Sequence, residues 1–353
     1  MLSSIRQTLL PLVNGDTSNK IIVRFQRICG LKKDGMVSNK CIYYYFRFSS
    51  ACGEEIFNLM PLLYWIYYPL AVSFTTNFAF LLMTGQILKD ILSLPRPSAI
   101  GTGIHKVSDN HFETEYGLPS THTISAFLPF STIFHLQKHG VAISPTIWII
   151  NWIYIISLGL SRLYLGVHSP LDIISGALVG YFIITIVYQY EDEFLTLIEV
   201  QSMGIVYLFF VLLSFLLFYP KPRPWRAGYG TASTVLGTSI GVWSAIYYIY
   251  QVDRSVLAIL ENVSIIHFNN NGVLDYKDPS IDVIKWYKIV KRLVISIIIC
   301  IPTKLISKYL ASKLFGFLYK LKLIKPKDGE RIDSLNHKVP LHKAYYYEVP
   351  VRY

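Results

Sequence analysis

Three short clusters of charged and hydroxyl side chains interrupt an otherwise apolar sequence, and their residue types suit chemistry on a phosphate group. The first cluster runs from Lys89 to Pro97, the second from Tyr116 to His122, and the third from Ser161 to Asp172. Charges within or beside apolar runs are costly to place and therefore mark functional sites by default. We take these clusters as the candidate site.

The cationic residues of the clusters are suited to a phosphate monoester, which is a dianion. Lys89, Arg96 and Arg162 offer three cationic donors, and each guanidinium group can donate two parallel hydrogen bonds to phosphate oxygens. Ser120 and Thr121 precede a predicted helix, whose free backbone N–H groups add to an anion-binding site. These five residues are predicted to bind phosphate.

Two histidines and an aspartate could carry out the bond-breaking steps. A neutral imidazole at His168 could attack phosphorus while Asp172 holds the other ring nitrogen and stabilises the charged phosphohistidine. His122 could protonate the leaving alkoxide and later activate water. Because the sequence shows no carboxylate cluster suited to Mg²⁺ or Ca²⁺, we predict a reaction without a metal or other cofactor.

Each residue also has a purely structural interpretation. Arg162 could match the negative end of its own helix, and Ser120 could be only a helix cap. Asp172 falls in the first turn of the helix that Ser169 begins, so it could serve that helix instead of His168. Such accidents would have to coincide in three clusters at once, which favours the catalytic interpretation.

The remaining sequence has the composition of a membrane protein. Of its 353 residues, 52% are hydrophobic and only 16% are charged, whereas soluble domains carry about 25% charged residues. A membrane span needs roughly 20 mostly apolar residues, and we count about eight such runs. They cover approximately residues 56–72, 74–94, 121–134, 142–160, 171–190, 205–219, 231–250 and 293–309. The predicted fold class is therefore all-α, a polytopic transmembrane helical bundle.

The order of the runs predicts that the three clusters meet at one face of the membrane. The second run ends at the first cluster, the third run begins at the second cluster, and the third cluster joins the fourth run to the fifth. Successive spans alternate in direction, so all three clusters lie on the same side.

The charge and the cysteines restrict the partners. A net charge of +11 on a soluble protein would suggest nucleic acid. Here the basic residues lie between apolar runs and do not alternate with aromatic residues, so we predict a phosphorylated lipid substrate and membrane lipids as partners, and no nucleic acid. The four cysteines, which lack the spacing of a metal site or a disulfide framework, are Cys29, Cys41, Cys52 and Cys300.

Composition divides the chain into five segments. They are a basic polar N-terminal segment (1–50), a transmembrane catalytic domain (51–250), a loop (251–287), a C-terminal transmembrane or interfacial helix (288–322) and a polar tail (323–353). The aromatic stretch from Cys41 to Phe48 is expected to lie in the membrane interface. The loop contains a glycosylation sequon at Asn262, whose use depends on the face on which the loop lies.

In order and spacing, the three clusters resemble the signature of the type 2 phosphatidic acid phosphatase (PAP2) superfamily. Its three motifs correspond to Lys89–Pro97, Pro119–His122 and Ser161–Asp172. The resemblance implies a helical PAP2-type catalytic core in a multi-pass protein of the endoplasmic reticulum membrane, with the site facing the lumen. It also implies His168 as nucleophile, with the other site residues in the roles given above.

Thr121 replaces the glycine that is more usual in the second motif. Threonine at this position resembles sphingosine-1-phosphate phosphatases and the fungal long-chain-base phosphate phosphatases, and Gly85-Gln86, Lys89-Asp90 and Glu115 to Gly117 are similar to that branch too. The resemblance therefore implies a phosphoric monoester hydrolase that acts on sphingosine or dihydrosphingosine 1-phosphate through a phosphohistidine.

The distribution of charge argues against the lumenal face. The basic N-terminal segment and the stretch from Lys221 to Arg226 share the predicted catalytic face, whereas the loop 191–199 on the other face is acidic. The positive-inside rule would then place the catalytic face in the cytosol. Some of these basic residues are predicted to bind phosphate, so their charge does not report only on orientation. We therefore keep the expectation of a lumenal site, with a cytosolic site as the alternative.

The exact substrate is left open by the residues. Glu113 and Glu115 are candidates to bind the ammonium of a long-chain base, or else they are solvated acids or neutralise Lys106. Alternative functions are a phosphatase for phosphatidic acid, polyprenyl or sugar phosphates, a lipid phosphotransferase, and a non-catalytic lipid-phosphate transporter. The presence of both histidines and Asp172 argues against the transporter, because a vestigial site would be expected to lose one of them.

Overall fold

The computed structural model describes most of the chain up to residue 251. The described residues are 2–53, 68–97, 102–107, 115–138, 140–199, 204–220 and 228–251, scattered helical residues between Val290 and Phe317, and the segments 330–332 and 338–340.

The described part of the chain is mostly helical. Its helices are α1 (Leu2–Asn14), α2 (Asp16–Ile28), α3 (Lys40–Ala51), α4 (Tyr68–Leu92), α5 (Thr121–Ser125), α6 (Leu128–Lys138), α7 (Pro145–Tyr164), α8 (Pro170–Glu199), α9 (Gly204–Phe218) and α10 (Gly228–Gln251). Strands β1 (Glu330–Ile332) and β2 (Lys338–Pro340) pair antiparallel. The prediction of a purely helical fold missed this hairpin, because three-residue strands are too short for an alternating pattern to identify them.

In the part of the chain that the structure describes, three helices are long and apolar enough to cross a membrane. Their spanning parts are Leu70–Leu92, Pro145–Tyr164 and Pro170–Leu197, and Val206–Phe215 is a shorter apolar helix. The three correspond to the second, fourth and fifth predicted runs. The first and last predicted runs lie mostly outside the described residues, so the total of about eight spans stays a prediction.

The third predicted run is not one continuous helix. The structure divides it into α5 and α6, with a turn at Ala126 and Phe127. The physical reason is Pro129, which has no N–H to donate to the carbonyl of Ser125, so the helical hydrogen-bond ladder is interrupted there. The prediction of one continuous helix over 121–134 was therefore wrong, whereas the prediction that this stretch crosses the membrane stays a prediction. The break creates the short, fully buried helix α5, on which His122 lies.

The helices that carry the three clusters pack around one apolar core. Helix α4 packs against α5, α6, α8 and α10. The core contains Leu81, Ile124, Phe127 and Leu158, which are almost completely buried. Phe127 makes an edge-to-face contact with Trp152 of α7, with ring centroids 6.0 Å apart. This core fixes the ends of α4, α7 and α8 relative to α5.

The N-terminal segment, predicted from composition only as basic and polar, folds onto helices α4 and α7. The Gln26 amide donates to the carbonyl oxygens of His105 and Tyr164 at 2.6 and 2.8 Å. Phe46 of α3 stacks on Tyr164 with ring centroids 4.9 Å apart. Arg6 of α1 donates to the Ile91 carbonyl at 2.6 Å. Helices α1–α3 therefore buttress the ends of α4 and α7.

Close approach of α8 to α5 depends on Gly176, and this generates a prediction. A Cβ at Gly176 would lie 2.7 Å from the Ser120 carbonyl oxygen, which is backbone and cannot easily move. We expect Gly176→Ala to lower the free energy of unfolding by about 1–3 kcal/mol, measured by thermal unfolding in detergent.

Gly237 of α10 provides the matched control, because nothing lies within 4 Å of the corresponding Cβ position. Gly237→Ala should stabilise the helix by roughly 0.5–1 kcal/mol. Equal behaviour of the two alanine variants would show that the contact between α8 and α5 does not limit stability.

Candidate active site

The structure brings the eight predicted site residues into one cluster where the ends of four helices meet. Helix α4 ends there, α7 ends there, and α8 and α5 begin there. Arg96 reaches the cluster from the extended segment that follows α4, and its side chain is 6% exposed. The other seven, all buried, are Lys89, Ser120, Thr121, His122, Arg162, His168 and Asp172. The three clusters thus meet as their order along the chain predicted.

Asp172 has both of the roles that the sequence left open. Its Oδ2 atom lies 3.3 Å from His168 Nδ1 and also accepts a hydrogen bond from the Ser169 backbone N–H at 2.8 Å. The Ser169 hydroxyl accepts in return from the Asp172 N–H at 3.1 Å. This reciprocal cap begins α8 and fixes the carboxylate. The same atom, Asp172 Oδ2, therefore caps the helix and contacts the imidazole.

The contact between Arg96 and His168 identifies the tautomer of the imidazole. Arg96 Nη1 lies 3.0 Å from His168 Nε2. A guanidinium group can only donate, so Nε2 is the acceptor and the ring proton is on Nδ1, facing Asp172. The lone pair of Nε2 is therefore directed toward the cationic groups.

His168 is held in its neutral form. The residue lies between α7 and α8 and is fully buried. Burial lowers the pKa of its imidazole well below the ordinary value, and the positive charges of Arg96, Arg162 and Lys89 lower it further. The neutral ring is the form that can act as a nucleophile.

Lys89 is positioned by a hydroxyl and a carboxylate. Its Nζ atom donates to Thr121 Oγ1 and to Glu115 Oε2, each at 2.9 Å. The hydroxyl of Thr121 gives a physical role to the threonine that replaces the commoner glycine. Of the two acids suggested by the sequence, Glu115 lies within the site and Glu113 is outside the described residues.

Helix α3 contributes a contact that sequence reasoning missed. Arg162 Nη1 donates to the Ser50 hydroxyl at 2.6 Å, and both side chains are buried. Gly53 lies directly against His122, because a Cβ there would be 2.9 Å from His122 Cδ2. Ser50 follows the aromatic stretch from Cys41 to Phe48 and belongs to none of the three motifs, so no sequence signal singled it out.

A second supporting contact joins α4 to the segment after α9. The Tyr219 hydroxyl donates to Asp90 Oδ2 at 2.6 Å. Asp90 directly follows Lys89 in the chain. Asp90 is 3% exposed. The hydrogen bond from Tyr219 gives its carboxylate a partner, without which burial would be costly. The contact stabilises the end of α4 from which Lys89 projects.

No group of three or more His, Cys, Asp or Glu side chains suited to a metal ion occurs among the residues that the structure describes. Cys29, Cys41 and Cys52 are free thiols, and Cys300 lies outside the described residues. The chemistry available from the chain itself is a neutral imidazole beside three cations. This arrangement can bind a tetrahedral dianion and attack it.

Comparison with known proteins points to the same region. The profile of the PAP2 superfamily matches residues 69–195, which include all eight site residues. The chain is 30% identical over 269 residues to sphingosine-1-phosphate phosphatase 2 of Mus musculus, covering 69% of this chain and 73% of that protein. No solved structure matches the chain.

Two further relatives come from a fungus and a plant. A dihydrosphingosine 1-phosphate phosphatase of Schizosaccharomyces pombe is 27% identical over 68% of this chain and 59% of its own length. Lipid phosphate phosphatase delta of Arabidopsis thaliana is 31% identical over 54% of this chain. The chain spans only 48% of that plant protein.

The cationic cluster predicts binding of a tetrahedral dianion. Tungstate at ten times its Kd should stabilise the protein by about 1.4 kcal/mol, measured as a rise of the thermal unfolding midpoint. Arg162→Gln should abolish the rise. Ser50→Ala should reduce it, because the guanidinium loses the 2.6 Å contact that fixes it.

Lys138→Gln is the matched control for this experiment. Lys138 pairs with Asp192 at 2.9 Å, near the other ends of the helices, and removing its charge should leave the tungstate effect intact. A rise that persists in Arg162→Gln would place the anion at another site.

Proposed function

The chain belongs to the PAP2 superfamily, and from that premise we propose that it hydrolyses the phosphate monoester of sphingoid long-chain bases. Relatives named as sphingosine-1-phosphate and dihydrosphingosine 1-phosphate phosphatases support this substrate class. The observation that carries the proposal is the position of His168, whose Nε2 atom lies 3.0 Å from Arg96 while Nδ1 faces Asp172. The buried neutral imidazole thereby faces the place where Arg96 would hold the phosphate.

Phosphate is bound by the cations and by the start of α5. Lys89, Arg96 and Arg162 neutralise the dianion and the charge that develops on the equatorial oxygens in the transition state. Ser120 and Thr121 contribute hydroxyl groups where α5 begins. The phosphate enters between Arg96 and His168, so their direct contact gives way to two contacts with the substrate.

Catalysis then proceeds in two displacements. His168 Nε2 attacks phosphorus, the ester P–O bond breaks, and the leaving alkoxide takes a proton from His122 and departs as the free long-chain base. Water, deprotonated by His122, attacks the phosphohistidine, the P–N bond breaks, and inorganic phosphate leaves. Asp172 stabilises the positive ring through Nδ1–H in both steps. The chain's own residues supply every group required, so the proposed reaction uses no metal.

The nucleophile is tested by trapping the intermediate. With dihydrosphingosine 1-phosphate labelled in its phosphate, wild-type protein denatured in alkali should carry label on His168, because the P–N bond of phosphohistidine is stable in alkali and labile in acid. Wild-type activity should persist in EDTA. His168→Ala should lose the label and at least about a thousandfold in kcat.

His105→Ala is the control. His105 is not one of the predicted site residues, and its hydrogen bonds to Gln26 are made by its backbone, which the substitution keeps. It should retain both labelling and turnover. Undiminished hydrolysis in His168→Ala would refute the proposed mechanism, and loss of wild-type activity in EDTA would refute metal independence.

We further propose that the protein is a multi-pass protein of the endoplasmic reticulum membrane with about eight spans and a lumenal site. The common location of the ends of α4 and α7 and the start of α8 supports a site at one membrane face. Membership of the superfamily supports the lumenal orientation, whereas the basic residues on the same side favour the cytosol.

Two glycosylation sequons on opposite faces test the orientation. Phe112→Thr creates the sequon Asn110-His111-Thr in the loop between α4 and α5, on the catalytic side. If α9 and α10 also cross the membrane, the natural sequon at Asn262 lies on the other side.

A lumenal site predicts an endoglycosidase-sensitive mass increase in Phe112→Thr and none at Asn262 in wild type. Glycan at Asn262, with an unmodified Phe112→Thr variant, would instead place the site in the cytosol. The measurement is a gel shift before and after enzymatic removal of glycans.

A further inference from the structure

Glu115 places a negative charge directly on the groups that are proposed to bind phosphate. Its Oε2 atom lies 2.9 Å from Lys89 Nζ and 3.8 Å from Arg96 Nη2. The Glu115 side chain is 19% exposed, whereas those of Lys89 and Arg96 are 1% and 6% exposed. The carboxylate therefore lies on the more open side of the two cations, where a substrate would approach.

The position of this carboxylate is fixed from two directions. Thr231 of α10 donates its hydroxyl to Glu115 Oε1 at 3.0 Å. Arg96 Nε donates to the Glu115 backbone carbonyl at 3.2 Å. Because both the side chain and the backbone are held, the carboxylate stays beside the cations when they receive another anion.

A phosphate dianion on Lys89 and Arg96 would therefore lie close to a second negative group. Like charges at that separation repel each other, and the repulsion is stronger in a partly buried site than in water. A substrate without a positive charge leaves the repulsion in place. A substrate that carries its own cation beside the phosphate removes it.

We propose that Glu115 is a specificity-determining residue that selects phosphate monoesters bearing an ammonium group next to the phosphate. In a sphingoid base 1-phosphate the ammonium is on the carbon adjacent to the one that carries the ester. The substrate ammonium takes the place of Lys89 on Glu115 Oε2, and Lys89 turns its charge to phosphate. This inference rests on the proposed function, because it names how that same site distinguishes its substrates.

A purely structural role for Glu115 makes a different prediction. If the carboxylate only neutralised Lys89, its removal would affect all phosphate monoesters to the same degree. The discriminating quantity is therefore the ratio of kcat/KM values for two substrates that differ only in the ammonium.

Dihydrosphingosine 1-phosphate and its N-acetyl derivative form such a pair, since an amide replaces the ammonium while the phosphate and the long chain are unchanged. Wild-type protein should prefer the free amine. Glu115→Gln should lower the preference about ten- to a hundredfold, the range of one hydrogen-bonded charge pair. Part of the change should be a gain in activity on the N-acetyl substrate, because the repulsion is removed.

Two further variants separate charge from structure. Glu115→Asp keeps the charge at shorter reach and should keep part of the preference. Thr231→Val removes the hydroxyl that holds Oε1 and should lower the preference less than Glu115→Gln does. Glu193→Gln, an exposed acid toward the C-terminal end of α8, should leave the ratio unchanged.

The outcomes distinguish the inference from the proposed function. An equal loss on both substrates in Glu115→Gln, including complete loss, overturns the selective role of Glu115 while the proposed function stands. Wild-type protein that hydrolyses neither substrate overturns the proposed function itself. A preference that falls in Glu115→Gln but not in Glu193→Gln establishes the role.

Discussion

Three positive charges are buried in one cluster, and the rest of the site depends on how the protein stabilises them there. Lys89, Arg96 and Arg162 would repel one another and are costly to desolvate unless each has a partner. The structure supplies oxygens for all three: Thr121 and Glu115 for Lys89, backbone carbonyls for Arg96, and Ser50 for Arg162. Most of these partners are neutral, so the cluster keeps a positive potential that an incoming phosphate can complete.

Burial and the same three charges set the state of the nucleophile. Complete burial lowers the pKa of His168 and the cations lower it further, which leaves its imidazole neutral and its Nε2 atom unprotonated. Asp172 Oδ2 contacts both the ring Nδ1 atom and the Ser169 N–H that begins α8. When phosphorylation makes the ring positive, the carboxylate is already in place. The electrostatics that attract the substrate therefore also prepare the group that attacks it.

The fold forms this cluster by bringing the ends of four helices together. Helices α4 and α7 end where α5 and α8 begin, so the site forms at one end of the bundle, where helix termini have unpaired backbone groups. Pro129 separates α5 from α6, and Gly176 lets α8 approach the backbone of Ser120. Helix α3 and the turn after it lie outside the region matched by the family profile, and they contact Arg162 through Ser50 and His122 through Gly53.

The sequence by itself determined the class of protein, the three motifs and their common side, because residue type, order and the alternation of spans are local properties of the chain. It also offered Glu115, together with Glu113, as a group that could bind a substrate ammonium or neutralise Lys106, and left the choice between these open. Only the tertiary structure decided that Glu115 lies on Lys89, that Ser50 holds Arg162, and that Asp172 contacts His168 while capping α8. Ser50 contacts Arg162, 112 positions away, and Glu115 contacts Lys89, 26 positions away. No periodicity or spacing in the sequence encodes contacts between segments so far apart along the chain.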